Sequence, residues 1–272
     1  MGTTVEANNI NIWYEEFGDK SNETILLIMG ANANCMQWDQ KFIDRLVTNK
    51  FHVVRFDNRD VGKSTWFGRE PTFNKFLKLL PNFLLRMIVN SVFGLAVDEK
   101  GRFKFSESSP TQYDLSDMAK DAVSLMDTLK IDKAHIIGAS MGGMITQIIA
   151  LDYPERVLSI TPIMTSPGIQ NDSLSGPTKE LLEAMKKSFI FNLKGRIEDG
   201  VVEIYRQLTG SRFPFNEQEF REKLKPVITH GNNPFALHGA AVGASQDRTP
   251  RLHEITVPTL VIHGTEDAIL PL

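Results

Sequence analysis

The sequence predicts an α/β protein: a mostly parallel sheet covered by helices on both faces and interrupted by a helical cap. Three observations carry this expectation. Apolar runs at 24–29, 51–56, 133–137, 157–164 and 256–264 alternate with helical patterns at 37–47, 114–130 and 144–151. Such alternation builds parallel sheets, because each strand-to-strand return is made by a helix that covers a face. Residues 136–144, Ile-Ile-Gly-Ala-Ser-Met-Gly-Gly-Met, set a serine between glycines where a strand pattern gives way to a helical one. Two stretches break the alternation: residues 167–250 hold only helical and loop patterns, and residues 67–112 carry strongly apolar runs interrupted by charges.

In chain order, residues 3–17 alternate weakly around Asn8-Asn9, a pair that favours a tight turn, and a β-hairpin is expected. Thr24 to Met29 is a continuous apolar run stopped by Gly30, as in a strand buried on both faces. Residues 37–47 read as a helix, 51–56 as a strand, and 114–130 as an amphipathic helix with Met118, Ala122, Leu125, Met126 and Leu129 on one face. Residues 144–151 have helical spacing and stop near Pro154. The expected division is a core of 1–166 and 251–272 carrying a lid-like insertion at 67–112, with a helical cap at 167–250. Residues 73–97 are strongly apolar but interrupted by Lys75, Lys78, Arg86 and Asn90, too short and too charged to span a bilayer. The simpler reading is a second cap element. The sharper one is a lid with an exposed apolar face that meets lipid or a greasy substrate.

Composition is ordinary: 42% hydrophobic, 23% charged and a net charge of −3 over 272 residues, with no basic tract to suggest nucleic acid. A single cysteine, Cys35, excludes an internal disulfide and reads as a small buried hydrophobe. The first residues lack a basic region followed by an apolar core, so a cytoplasmic location is expected.

The serine at 140 has a steric logic. A hydroxyl lifted above a sheet needs a very sharp turn, and side chains at Gly138 and Gly142 would collide where strand and helix pass closely. The same turn aims the N–H of Met141, at the helix start, toward negative charge forming near Ser140.

With these motifs the chain resembles the α/β-hydrolase fold superfamily, in the branch of methylesterases, haloperoxidase-like enzymes and related small-ester hydrolases. The resemblance covers about 1–66, 112–166 and 251–272 and rests on four stretches. Gly138-Ala139-Ser140-Met141-Gly142-Gly143 is the nucleophile elbow. Leu27-Ile28-Met29-Gly30-Ala31 looks like the oxyanion strand, with Met29 where the family more often has His. Residues 57–64 look like the D-x-R-G-x-G-x-S turn, with Asp60 in place of glycine. His263-Gly264-Thr265-Glu266-Asp267 resembles the loop bearing the triad acid. The resemblance implies a cofactor-free, metal-free enzyme with a small-molecule ester as its partner. Ser140 would be the nucleophile, Asp267 rather than Glu266 the acid, and the Ala31 and Met141 amides the oxyanion hole.

The base is missing from this list. His52 and His135 begin strands, His253 precedes one, His263 ends one, and His230 and His238 fall in the cap; each reads as a structural or surface histidine. The family's order is serine, acid, histidine, so the base would follow Asp267 by one more strand. The chain ends at Leu272 and is therefore expected to lack its last strand and helix, and to turn esters over poorly. An acyltransferase or perhydrolase on the same fold, or a non-catalytic small-molecule binder, remain alternatives. Gly62-Lys63-Ser64 lacks the earlier glycine of a phosphate loop, His253-Glu254 lacks a second zinc histidine, and the sequons at 22–24 and 171–173 have no secretion signal to give them meaning. The substrate is not legible, because the insertions shape the pocket.

Overall fold

The computed structural model describes residues 2–104, 111–169 and 174–271; the sequon at 171–173 and parts of both insertions lie outside them. The elements are β1 (Thr3–Ala7), β2 (Ile10–Phe17), β3 (Thr24–Ile28), α1 (Gln40–Thr48), β4 (His52–Phe56), α2 (Thr72–Leu77), α3 (Asn82–Ala96) and α4 (Leu115–Thr128). There follow β5 (Ala134–Ala139), α5 (Met141–Asp152), β6 (Val157–Ile163), α6 (Lys179–Leu193), α7 (Ile197–Leu208), α8 (Glu217–His230) and α9 (His238–Gly243).

Two compact units are formed. The first is Met1–Gly68, Ser106–Asn171 and Thr229–His263; the second is Arg69–Phe105, Asp172–Ile228 and Gly264–Leu272. These boundaries differ from those expected from sequence at two places: 229–250 groups with the sheet, and 264–271 with the helices.

The sheet of the first unit has the order β1-β2-β4-β3-β5-β6. Asn8 and Asn9 both adopt positive φ, 50° and 61°, the twist that a two-residue hairpin loop needs between Ala7 and Ile10. β2 pairs antiparallel with β4, and β4, β3, β5 and β6 run parallel. β3 is buried on both faces and divides its side chains by alternation. Leu26 and Ile28 join Met118, Leu125, Ile145 and Ile149 of α4 and α5 on one face. Ile25 and Leu27 join Trp38 and Ile43, with Phe42 and Leu46 of α1, on the other. Full burial of each such side chain contributes about 1.5–3 kcal/mol, so this central strand anchors both layers. α4 starts at a reciprocal capping box, Asp114 with Asp117.

Two expectations are corrected. The helix expected at 37–47 is a 3₁₀ turn, Cys35–Gln37, followed by α1, whose N-cap Asp39 accepts from the Lys41 amide. No regular strand forms at 256–264, which makes only isolated parallel bridges from Thr259 and Ile262 to β6. The cause is in β6. Ile160 N donates to Pro258 O and Met164 N to Ile262 O, but the donor needed between them falls on Pro162, which has no N–H.

In the second unit, α2 and α3 lie in the 67–112 insertion, and α6 and α7 in the expected cap region. Leu77, Leu85 and Leu193 form a small core there, with Leu80, Ile88 and Ile190 packed around it.

Candidate active site

Ser140 stands between β5 and α5 with φ 53° and ψ −119°, a conformation that L-residues avoid. It persists because its neighbours fix it. Ser140 N donates to Ile163 O at 2.9 Å, and Ser140 O accepts from Gly143 N at 2.8 Å, Met144 N at 3.2 Å and Thr165 Oγ1 at 2.8 Å. The glycines around it are sterically required. A Cβ at Gly138 would lie 2.2 Å from Gly142 O, and one at Gly142 would lie 2.2 Å from Ile28 O. One at Gly143 would lie 2.7 Å from the Thr165 methyl. α5 therefore presses directly on β3 and β5 and carries its first N–H groups, from Met141 onward, up to the serine. Met141 itself is buried, 1% exposed.

The loop after β3 comes to the same place. A Cβ on Gly30 would sit 3.1 Å from Ser140 Cβ and 3.2 Å from Ala139 O, a tight fit, and 3.7 Å from Ser140 Oγ, an ordinary contact. Ala31, the next residue, is exposed. Three contacts hold this loop: Asn58 Nδ2 donates to Met29 O at 2.9 Å, Asn32 N to His238 Nδ1 at 2.8 Å, and Cys35 N to Asp57 Oδ1 at 2.9 Å.

Behind the loop lies the 57–64 turn, which holds two fully buried carboxylates. Asp57 also accepts from Lys63 N at 2.9 Å and from His230 Nε2 at 2.7 Å, and the His230 ring packs edge-on against Trp13 at 4.2 Å. Asp60 has φ 72°, which explains why glycine suits this position. Aspartate tolerates it here because its carboxylate collects donors: Phe67 N at 2.6 Å, Gly68 N at 2.7 Å, Tyr113 OH at 2.7 Å and Leu237 N at 2.9 Å. Burial, then the bond to Asp60, pushes the Tyr113 hydroxyl far above its ordinary range. Arg59 forms a bidentate pair with Asp121, at 2.6 and 2.7 Å, and its guanidinium lies over the Tyr113 ring.

His238 has a defined tautomer. Its Nδ1 accepts from Asn32 N, so the proton is on Nε2, which donates to Arg59 O at 2.7 Å. Burial lowers its pKa, and the Arg59 carbonyl opposes this only in part. His230 and His238, expected in the cap, thus belong to the first unit, where they brace the 57–64 turn and the loop at 30–35. His52 meets Thr24 at 3.0 Å and His135 meets Ser159 at 2.7 Å; both serve strand pairing.

The ligand atoms of Cys35, Asp57 and His230 lie within 4.8 Å of one another, the one such grouping found among the described residues. Both Asp57 oxygens are already taken by amides and the imidazole, and a cation would have to displace them. Burial, then the Asp57 charge, pushes the Cys35 thiol well above its usual range, so it is a protonated filler rather than a thiolate.

Ser140, Met141 and Gly30–Ala31 are therefore close in one unit. Asp267 belongs to the second, where its carboxylate accepts from Ile269 N at 2.8 Å and Leu270 N at 2.9 Å. Glu266 beside it is held by the Ser211 hydroxyl at 2.6 Å. Sequence reasoning missed Thr165, whose hydroxyl fixes the serine carbonyl. Its only signal is its place just past the β6 end.

The sequence model for the alpha/beta hydrolase fold matches residues 23–272. Rhodomycin D methylesterase DauP of Streptomyces sp. (strain C5) is 26% identical over 289 residues, spanning 98% of this chain and 83% of the relative. A 2-hydroxy-6-oxononadienedioate/2-hydroxy-6-oxononatrienedioate hydrolase of Klebsiella pneumoniae subsp. pneumoniae is 30% identical, spanning 98% of this chain and 78% of the relative. Among solved structures, the enol-lactonase of Burkholderia xenovorans LB400 aligns with TM-score 0.64 at 18% identity, covering 97% of this chain and 81% of that one. The esterase EaEST of Exiguobacterium antarcticum aligns with TM-score 0.64 at 19% identity, covering 100% and 84%. At these identities the solved structures bear on the fold alone.

Proposed function

The chain belongs to the alpha/beta hydrolase fold family, and from that premise we propose that it is a serine hydrolase of small carboxylic esters working through an acyl-enzyme on Ser140. The observation that carries the reading is the strained Ser140 backbone at a strand–helix junction, with Gly30 alongside the hydroxyl. The relative named methylesterase supports ester chemistry, and a methyl ester is the first substrate to try.

In the proposed reaction a base removes the Ser140 proton as Oγ attacks the ester carbonyl. The carbonyl oxygen becomes negative and is assigned to the N–H groups of Met141 and Ala31. Collapse breaks the C–O bond, and the alcohol leaves with the proton held by the base. Water, deprotonated by the same base, then attacks the acyl carbonyl and releases the acid and Ser140. Asp267 is assigned to orient the base. None of the six histidines in residues 1–272 is assigned the base role.

The test is labelling with a fluorophosphonate probe. Ser140 should label, and Ser140→Ala should abolish the labelling. Equal labelling of wild type and Ser140→Ala, or labelling that maps to another residue, would overturn the assignment.

A further inference from the structure

The α2–α3 pair has one side that the second unit covers and one that it leaves bare. Leu77, Leu85 and Ile88 face α6, and Lys194 Nζ donates to Lys78 O at 2.7 Å and Leu80 O at 2.9 Å, fixing the turn between the helices. On the other side Phe73, Phe76, Leu79, Phe83, Met87 and Leu95 are each 63–83% exposed. Single exposed apolar residues need no explanation, but six large ones on two consecutive helices and their turn make a surface of the kind that binds something.

Charge narrows the occupant. Residues 72–96 carry Lys75, Lys78 and Arg86 and no Asp or Glu, in a chain whose net charge is −3. All three cations are exposed. Lys78 pairs with Glu70; among the described residues neither Lys75 nor Arg86 has a salt-bridge partner. A second copy docked face to face would set Lys75 and Arg86 against their own kind, Glu70 being taken already by Lys78. An anionic bilayer satisfies both features at once. Phe and Leu enter the boundary between headgroups and acyl chains, while Lys and Arg reach back to the phosphates. Among the described residues no helix is long and apolar enough to cross a membrane, so the contact is with the surface.

We propose that the α2–α3 pair docks this protein on an anionic lipid surface, with Phe73, Phe76, Leu79 and Phe83 entering the acyl boundary and Lys75 and Arg86 at the headgroups. This is independent of the Ser140 reading, and its test uses no enzyme activity.

The experiment is flotation of the full chain with phosphatidylcholine vesicles, plain or with about a quarter phosphatidylglycerol. The variants are Phe76→Ser/Leu79→Ser/Phe83→Ser and Lys75→Glu/Arg86→Glu, with circular dichroism and thermal melting to confirm that each still folds. Wild type should float with the anionic vesicles. The apolar variant should lose binding at least about tenfold. The charge variant should lose about tenfold on anionic vesicles and little on plain ones, and about 0.5 M salt should do the same to wild type. Three results would overturn the proposal: no flotation of wild type with anionic vesicles, equal flotation of a folded apolar variant, or sedimentation showing a dimer that the apolar variant dissolves.

Discussion

Helices α5 and α3 look alike in composition and differ in almost everything else. Both are apolar with few charges, and both carry glycine. In α5, Met141 through Ala150 are all buried; in α3, only Leu85 and Val89 are. α5 is entered through Ser140 at positive φ; α3 is entered through Pro81 at an unremarkable −57°. The glycines give the sharpest contrast. A Cβ on Gly142 would meet Ile28 O at 2.2 Å, whereas one on Gly94 would meet nothing within 4 Å. Apolar composition therefore does not say whether a helix is covered. What distinguishes the two is how closely another backbone approaches.

The comparison can be broken at several points. The largest effect is expected from Asp60→Ala, which leaves the Tyr113 hydroxyl and the amides of Phe67, Gly68 and Leu237 without their acceptor. Orphaned buried donors cost about 1–3 kcal/mol each, so urea denaturation should show at least about 4 kcal/mol lost. Gly142→Ala should cost about 3 kcal/mol by the same measurement, because the backbone of β3 rather than a flexible side chain must give way.

A pH series tests the brace at His238. Its folded pKa is lowered, chiefly by burial, so the unfolded chain binds the proton more readily. Its share of stability is full above the unfolded value of about 6.5 and is lost as pH falls from there toward the lowered folded value. Arg59 and Asp60 are the charges that face it. His238→Gln should flatten the fall in melting temperature as pH drops below about 7; an unchanged slope would assign the pH dependence to His52, whose pKa is lowered by the same cause. Ser140→Gly should raise stability by about 1 kcal/mol, since glycine accepts φ 53° freely, while ending probe labelling. The smallest effect should come from Gly94→Ala, a gain of about 0.5–1 kcal/mol from helix propensity alone. A loss there would mean that α3 is covered.

The parts of this molecule legible in its sequence are those written in neighbouring residues. Gly138, Ser140 and Gly142 announce the elbow because the steric problem and its solution lie within five positions, and Asn8-Asn9 announces its hairpin for the same reason. The family match and the parallel order of β4, β3, β5 and β6 agree with the fold expected from the alternation of strands and helices. What supports the site was not legible. His230 reaches Asp57 across 173 residues, Leu237 reaches Asp60 across 177, and His238 reaches Arg59 across 179; no local pattern marks any of them, and both histidines lie in the stretch whose sequence reads as cap. The strand expected at 256–264 failed for a reason that lies in its neighbour, Pro162, rather than in its own residues.

That proline has a kinetic consequence. With one rung missing from the middle of the ladder, the outermost row of the sheet is stitched at two ends and can come undone one stitch at a time. The amides of Leu260 and Ile262 should accordingly trade their hydrogens for deuterium well before those of β5, even though all are bonded in the resting fold. The segment leading to the Asp267 loop would then be the first part of the sheet to breathe.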